Sequence, residues 1–276
     1  MAENRAEVEA FLTQHAEYAM FPLSNLARYG MEGGHDLAIR MWMTKTRNGQ
    51  IDGVLSVTEA GMVMPCLPAD GYAGAAKVLR GQALSGLIGP TRQVRGLEAA
   101  AGLTLAPRTL DRDEPHFLAN LADLVVPTGP GQIVPMATAP KDMILGWMEN
   151  YQTEALNTPA GDARAEAEAS YVRYVKLASH VVLMHGEVPL AMTGFNATLA
   201  DIVQIGGVYT PPEHRGRGYA RRALALHLGC AQAQGVRRAT LFSGSDMATR
   251  AYMAIGFHKI GRWTLLLFQG SQVAHG

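Results

Sequence analysis

The run IGGVYTPPEHRGRGYARRALALHL, from Ile205 to Leu228, decides how this chain is read. Its opening is β-branched and aromatic around a glycine pair, which predicts a strand. Its close sets Ala220, Ala223, Leu224 and Leu228 on one narrow apolar face, which predicts a helix continuing through Ala231 and stopped by Gly235. Between the two lies a turn carrying Arg215, Gly216, Arg217 and Gly218. A helix start offers backbone N–H groups that lack intrahelical acceptors, together with the positive end of the dipole, so a strand, turn and helix in this order suit phosphate oxygens. Gly216 and Gly218 allow close backbone approach, and the arginines add charge-assisted donors that fit a diphosphate. Two other phosphate turns are excluded. GxGxxG would need glycine where Arg221 stands, and GxxxxGK[ST] would need a lysine that does not follow these glycines.

Working outward, the pair Gly206-Gly207 weakens a strand unless a bulge or a close backbone approach is wanted there. Upstream, HVVLMH from His180 and VPLAMTGFNAT from Val188 predict a hairpin turned at Gly186-Glu187. Before it, Met143, Ile144, Trp147, Met148 and Tyr151 form a helical stripe, and a second helix follows with Asp162 as its N-cap. Downstream, ATLFS from Ala239 is a strand, SDMATRAYMAIGF a short helix capped by Ser245 or Asp246 and ended by Gly256, and RWTLLLF from Arg262 a closing strand.

The composition excludes several function classes. The chain has 276 residues with 48% hydrophobic and 17% charged, which rules out disorder and allows one large core or two ordinary ones. Twenty-four basic residues balance twenty-four acidic ones, so no whole-molecule field attracts nucleic acid or an anionic membrane. No apolar run approaches the roughly 20 residues that span a bilayer. The N-terminus lacks the basic start and apolar block of a secretory signal, and a cytoplasmic location is expected. Cys66 and Cys230 are far apart and read as small buried apolar residues, and the histidines show no ligand spacing, so no metal site is expected. Met41, Met43, Met62 and Met64 alternate as one face of a packed sheet. Before Pro127 there are 11 basic and 14 acidic residues, and after it 13 and 10, which makes the second part the place for an anionic ligand.

The turn resembles the GNAT superfamily of acyl-CoA-dependent N-acyltransferases, whose pattern [QR]-x-x-G-x-[GA] is met by Arg215, Gly218 and Ala220. Ala248, Tyr252 and Gly256-Phe257 repeat the family's later spacing, and the likeness runs from about Gly131 to Phe268. The resemblance implies that acetyl-CoA or another acyl-CoA binds as acyl donor. The amides of Arg215, Gly216, Arg217, Gly218, Tyr219 and Ala220 would hold the pyrophosphate, and the backbone of Val208, Tyr209 and Thr210 would pair with the pantetheine arm. Ser245 and Ala248 would also contact the cofactor, although relatives carry Asn where Ser245 stands. Tyr252 would hydrogen-bond or protonate the departing thiolate, and a backbone N–H near Tyr209 would hold the oxyanion. No general base is assigned. The strand offers Gln204 where relatives place a carboxylate, Glu213 reads as a turn residue, and Glu149 and Glu154 read as solvated helix residues. The implied function is acetyl transfer to a primary amine of a small molecule or peptide, with a non-catalytic acyl-CoA sensor as the alternative. Neither nucleic acid nor membrane is expected as a partner, and a homodimer is left open.

The fold class expected is α/β with a mixed sheet, divided as 127–276 for the acyltransferase domain and 1–126 for a similar but degenerate α/β domain. The boundary is drawn at the proline- and glycine-rich stretch Val126 to Pro135. The first part opens with a helix from Ala6 to about Met20, continues with strands from Leu37 and Gly53, then a helix from Tyr72 to about Leu84, and a strand stub and helix around GLIGP. TRQVRGLEAAAG after Gly89-Pro90 lacks the glycine pair a diphosphate needs, so no second cofactor site is expected there.

Overall fold

The computed structural model describes residues 4–31 and 33–275. Contacts divide the chain into two units, Met1–His116 with Gly261–Gly276, and Phe117–Ile260.

The first unit begins with α1 (Arg5–Gln14) and α2 (Ala16–Tyr29), where a single helix ending near Met20 was expected. His15 breaks the run at φ −115°, and non-helical Ala19 marks a kink beside Pro22, whose ring removes a helical hydrogen bond. Strands β1 (Ile39–Lys45), β2 (Ile51–Thr58) and β3 (Met62–Cys66) form an antiparallel meander. Helix α3 (Tyr72–Leu79) stops short of the predicted Leu84 because β4 (Ala83–Pro90) begins there, parallel to β3. Helix α4 (Thr91–Ala100) and β5 (Arg108–Asn120) follow. Strand β5 was not anticipated; five of the thirteen residues of RTLDRDEPHFLAN are charged. Its acids are neutralised in the fold: Arg95 on α4 meets Asp111 at 2.5 Å, Asp113 at 2.7 Å and Glu98 at 3.1 Å. Leu84, Leu87, Val94 and Leu97 fill the core together with Leu266 and Phe268 of the returning C-terminal strand, which pairs antiparallel with β4.

The second unit contains β6 (Gln132–Pro135), α5 (Lys141–Leu156), α6 (Ala160–Lys176), β7 (His180–His185), β8 (Val188–Thr198), β9 (Ile202–Tyr209), α7 (Tyr219–Ala233), β10 (Arg238–Phe242) and α8 (Asp246–Met253), and β11 (His258–Val273) starts in it. Its strand order is β10-β9-β8-β7-β6, antiparallel except for β10 against β9. One core gathers Trp147, Met148, Tyr171, Val182 and Tyr209, from α5, α6 and the sheet. Another gathers Val203, Leu224, Leu228, Leu241, Tyr252 and Phe257 with Phe117 and Leu121.

The observed division differs from the expected cut at 126/127. Phe117, Ala119 and Leu121 pack into the second unit's core, while Leu266, Phe268 and Ala274 pack into the first unit's. The proline-rich stretch is a structured edge rather than a linker, since Gln132–Pro135 pairs with Met184 to Val181. Asp162 lies in the first turn of α6 rather than capping it, because Pro159 stands at the N-cap. Cys66 is buried as expected, but Cys230 is exposed on α7. Among the described residues no helix is long and apolar enough to cross a membrane, and no group of three or more His, Cys, Asp or Glu side chains could hold a metal ion.

Candidate functional site

The site is built where β9 leaves its neighbours. Its parallel pairing with β10 runs only from Ile202↔Arg238 to Gln204↔Thr240, although the strands continue to Tyr209 and Phe242. On the other side, Gly194 pairs with Gly206 and Met192 with Tyr209, so Thr193 of β8 alone opposes both Gly207 and Val208 of β9. That extra residue is a β-bulge, and Gly207 carries it at φ +62°. The glycine pair is therefore used both for its backbone freedom and for its missing side chains.

Asn196 occupies the space that Gly206 leaves, and His180 the space left by Gly194 and Gly207. A Cβ on Gly194 would overlap its ring, and one on Gly207 would lie 2.7 Å from Nε2. The ring is 1% exposed, stacks on Tyr174 at 3.5 Å between centroids, and contacts Ser179 Oγ through Nδ1 at 2.9 Å. Burial, then the neighbouring His227 and Arg173, holds its pKa well below the usual histidine value, so the ring is neutral.

Beyond β9 the chain turns through Pro211 and a single 3-10 turn, Pro212–His214, then passes Gly216 at φ +76° and Gly218 at φ +78° into α7. A Cβ on Gly216 would meet nothing within 4 Å, so the turn is open in front of the helix start. Gly218 is the N-cap of α7 and makes no side-chain cap, which leaves the first-turn N–H groups of Tyr219 and Ala220 for an external acceptor. This cradle fits the diphosphate expected from the sequence.

The four arginines of the turn have different tasks. Arg217 is exposed. Arg221 reaches back so that Nη2 lies 3.4 Å from a Cβ position on Gly218, and its buried Nε has no hydrogen-bond partner. Arg222 turns away and donates to the carbonyls of Pro127 at 2.5 Å, Pro130 at 2.9 Å and Gly131 at 3.2 Å. Arg222→Met is accordingly expected to free residues 127–131 from α7 and speed proteolytic nicking there, while the global melting temperature falls by only a few degrees. Unchanged cleavage would remove this clamp. Arg215 folds back from the turn, with Nε donating to Thr210 O at 2.9 Å and Nη2 to Glu154 Oε2 at 2.7 Å.

Glu154, expected as a solvated helix residue, is thus engaged, and it also accepts from the Tyr209 hydroxyl at 3.4 Å. Burial, with the charge of Glu154 second, raises the pKa of that phenol. Nothing in the sequence links Glu154 to residues 55 and 61 positions later. Glu149 pairs with Arg164 at 3.5 Å, and Glu213 is exposed on the turn. Gln204, where a carboxylate was looked for, is buried and donates to Ile205 O at 2.7 Å.

Helix α8 completes the site. Ser245 Oγ accepts from Ala248 N at 3.3 Å, so its hydroxyl serves as the N-cap, and Ala248 is partly buried beside the core. Tyr252 is 8% exposed, shares a buried cluster with Ile205 of β9 and Leu241 of β10, and meets Phe257 edge-on at 6.1 Å. The structure thus places Tyr252 among the residues that flank the parting strands, and Val208, Tyr209 and Thr210 on the strand segment leading from the bulge to the turn.

Residues 143–257 match the model of the acetyltransferase (GNAT) family. Solved structures share the fold. A GNAT-family acetyltransferase from Colwellia psychrerythraea is 15% identical with a TM-score of 0.52, over 94% of this chain and 96% of that one. A GCN5-related N-acetyltransferase from Kribbella flavida is 17% identical with a TM-score of 0.52, over 79% and 87%. A Drosophila protein from structural genomics is 12% identical with a TM-score of 0.61, over 96% of both chains. No curated protein matches the sequence.

Proposed function

We propose, from the premise that residues 143–257 form a domain of the acetyltransferase (GNAT) family, that this chain transfers an acetyl group from acetyl-CoA to a primary amine by direct attack in a ternary complex. The observation that carries this is the combination of parted strands, bulge and open glycine turn. Pairing between β9 and β10 ends at Gln204 and Thr240, and the released segment runs past Gly207 straight into the cradle at α7. Such a segment has unpaired backbone groups for an extended arm, and the helix start receives the charged end of the same ligand.

Acyl-CoA would supply the activated acyl group and a thiolate leaving group. The chain's own part is to bind and orient. The Arg215 amide already donates to Pro212 O at 3.2 Å, so the amides from Gly216 to Ala220 would hold the diphosphate, with Arg217 and Arg221 adding charge. The backbone of Val208 to Thr210 aligns the arm, and a backbone N–H near Tyr209 stabilises the oxyanion. Tyr252 is the proton donor toward the sulfur side. Ser245, being the cap of α8, acts on the cofactor side through the helix it orders. The first unit, which has strands and helices in a comparable order but no glycine turn after β4, is read as a second, degenerate copy. The free cysteines agree with a reducing compartment such as the cytoplasm.

A non-catalytic acyl-CoA sensor is the second reading, favoured by the near-complete burial of Tyr252 and by Gln204 standing in place of a carboxylate. Thermal unfolding with acetyl-CoA at 100 times its dissociation constant is expected to show about 2.7 kcal/mol of stabilisation. No shift would refute both readings. Thiol release with an amine panel separates them: Tyr252→Phe is expected to lower kcat about a hundredfold with CoA affinity within twofold of wild type. Unchanged turnover would remove Tyr252 from the chemistry.

A further inference from the structure

Arg215 sits in a cation site that does not need to be filled by Arg215. Its guanidinium is met by Glu154 Oε2 at 2.7 Å and Thr210 O at 2.9 Å, and lies 5.5 Å from the centre of the Tyr209 ring. A carboxylate, a carbonyl and an aromatic face are the groups that hold an organic cation. The ion pair is open to solvent, with side chains 40% and 46% exposed, so it is weak and exchangeable. Arg215 is also the residue that opens the glycine turn, one position before Gly216 at φ +76°. A diphosphate on the α7 N-terminus carries more negative charge than the single carboxylate of Glu154, and competes for the same arginine.

We propose that Glu154 and the Tyr209 ring form the recognition site for the cationic acceptor, an alkylammonium, and that Arg215 occupies this site until a diphosphate at the turn draws it away. The inference rests on the acyl-CoA reading above and adds the acceptor's charge class and its order of binding. With Arg215 moved, Glu154 has lost its counter-ion, and the Tyr209 hydroxyl remains beside it at 3.4 Å. An ammonium restores the charge balance there, whereas an anionic acceptor is repelled. Donor and acceptor thereby bind with positive coupling, because each favours the conformer in which Arg215 has left Glu154.

The test uses the full chain and two probes in titration calorimetry, n-butylammonium chloride for the cation site and unacylated CoA for the turn, so that no turnover occurs. Wild type is expected to bind butylammonium about tenfold more tightly with saturating CoA than without. Arg215→Met is expected to bind it equally in both conditions, at the tighter level. Glu154→Gln is expected to bind CoA several-fold more tightly than wild type and to lose butylammonium binding, and Glu154→Asp to retain part of it. Because Glu154 is an exposed helix residue, melting curves of these variants are expected to overlay that of wild type. CoA and butylammonium affinities unchanged in Glu154→Gln, or equal butylammonium binding to wild type with and without CoA, would overturn the exchange. Failure of wild type to bind CoA at all would instead overturn the acyl-CoA reading beneath it.

Discussion

Gly194→Ala is expected to destabilise the second unit by about 3 kcal/mol or more, among the largest effects of any single methyl group in this chain. The added Cβ would overlap the His180 ring, which is 1% exposed and stacked on Tyr174, and so has no free space to enter. Denaturant unfolding followed by far-UV circular dichroism gives the size of the loss. His180→Ala should cost stability by itself by opening a cavity, yet in the double variant His180→Ala/Gly194→Ala the clash is gone. The two changes are therefore expected to be non-additive by about 2 kcal/mol, the double variant being more stable than the sum predicts. Additive losses would show that the glycine is not there to admit the imidazole. Gly207→Ala combines a left-handed φ of +62° with a Cβ 2.7 Å from the same ring, and belongs to the same steric unit.

Stability is expected to fall steeply as pH is lowered from about 6.5 toward 4. Burial lowers His227 from 6.5 to about 4, lowers His116 of the first unit to about 4 by the same cause, and holds His180 well below 6.5. Within that window the unfolded chain binds protons at these rings and the folded chain does not, so protonation favours unfolding as pH drops. Above 6.5 the contribution is fully present, and below the folded pKa it stops changing. A depression to about 4 corresponds to about 3 kcal/mol per histidine. Melting temperatures at fixed ionic strength across pH 4 to 7.5 check the sign, and His227→Phe, which preserves a ring against Phe195, should flatten part of the slope. A profile level across that range would refute the assignment of these rings as neutral.

Legibility followed the range of the interactions. The glycine turn, the helix after it and the β7–β8 hairpin were readable, and the cap of α8 was narrowed to Ser245 or Asp246, because each is set by residues within a few positions of one another. The bulge was suggested by Gly206-Gly207, but its purpose was not, since His180 lies far upstream. Strand β5 escaped notice because Asp111 and Asp113 look solvent-seeking until Arg95, on another element, neutralises them. Arg215, Arg217, Arg221 and Arg222 lie within eight residues, yet they divide among Glu154, the Pro127 to Gly131 carbonyls and the turn itself.

By itself the sequence determined that a strand, an open glycine turn and a helix stand in succession after residue 201, because backbone freedom and apolar periodicity are local properties that no distant partner has to supply. Only the tertiary structure decided which charges stay available at that turn, where the chain divides, and what fills the glycine gap. Those outcomes depend on side chains tens of residues apart competing for the same volume and the same counter-ions, and a linear string carries no record of which competitor is nearest.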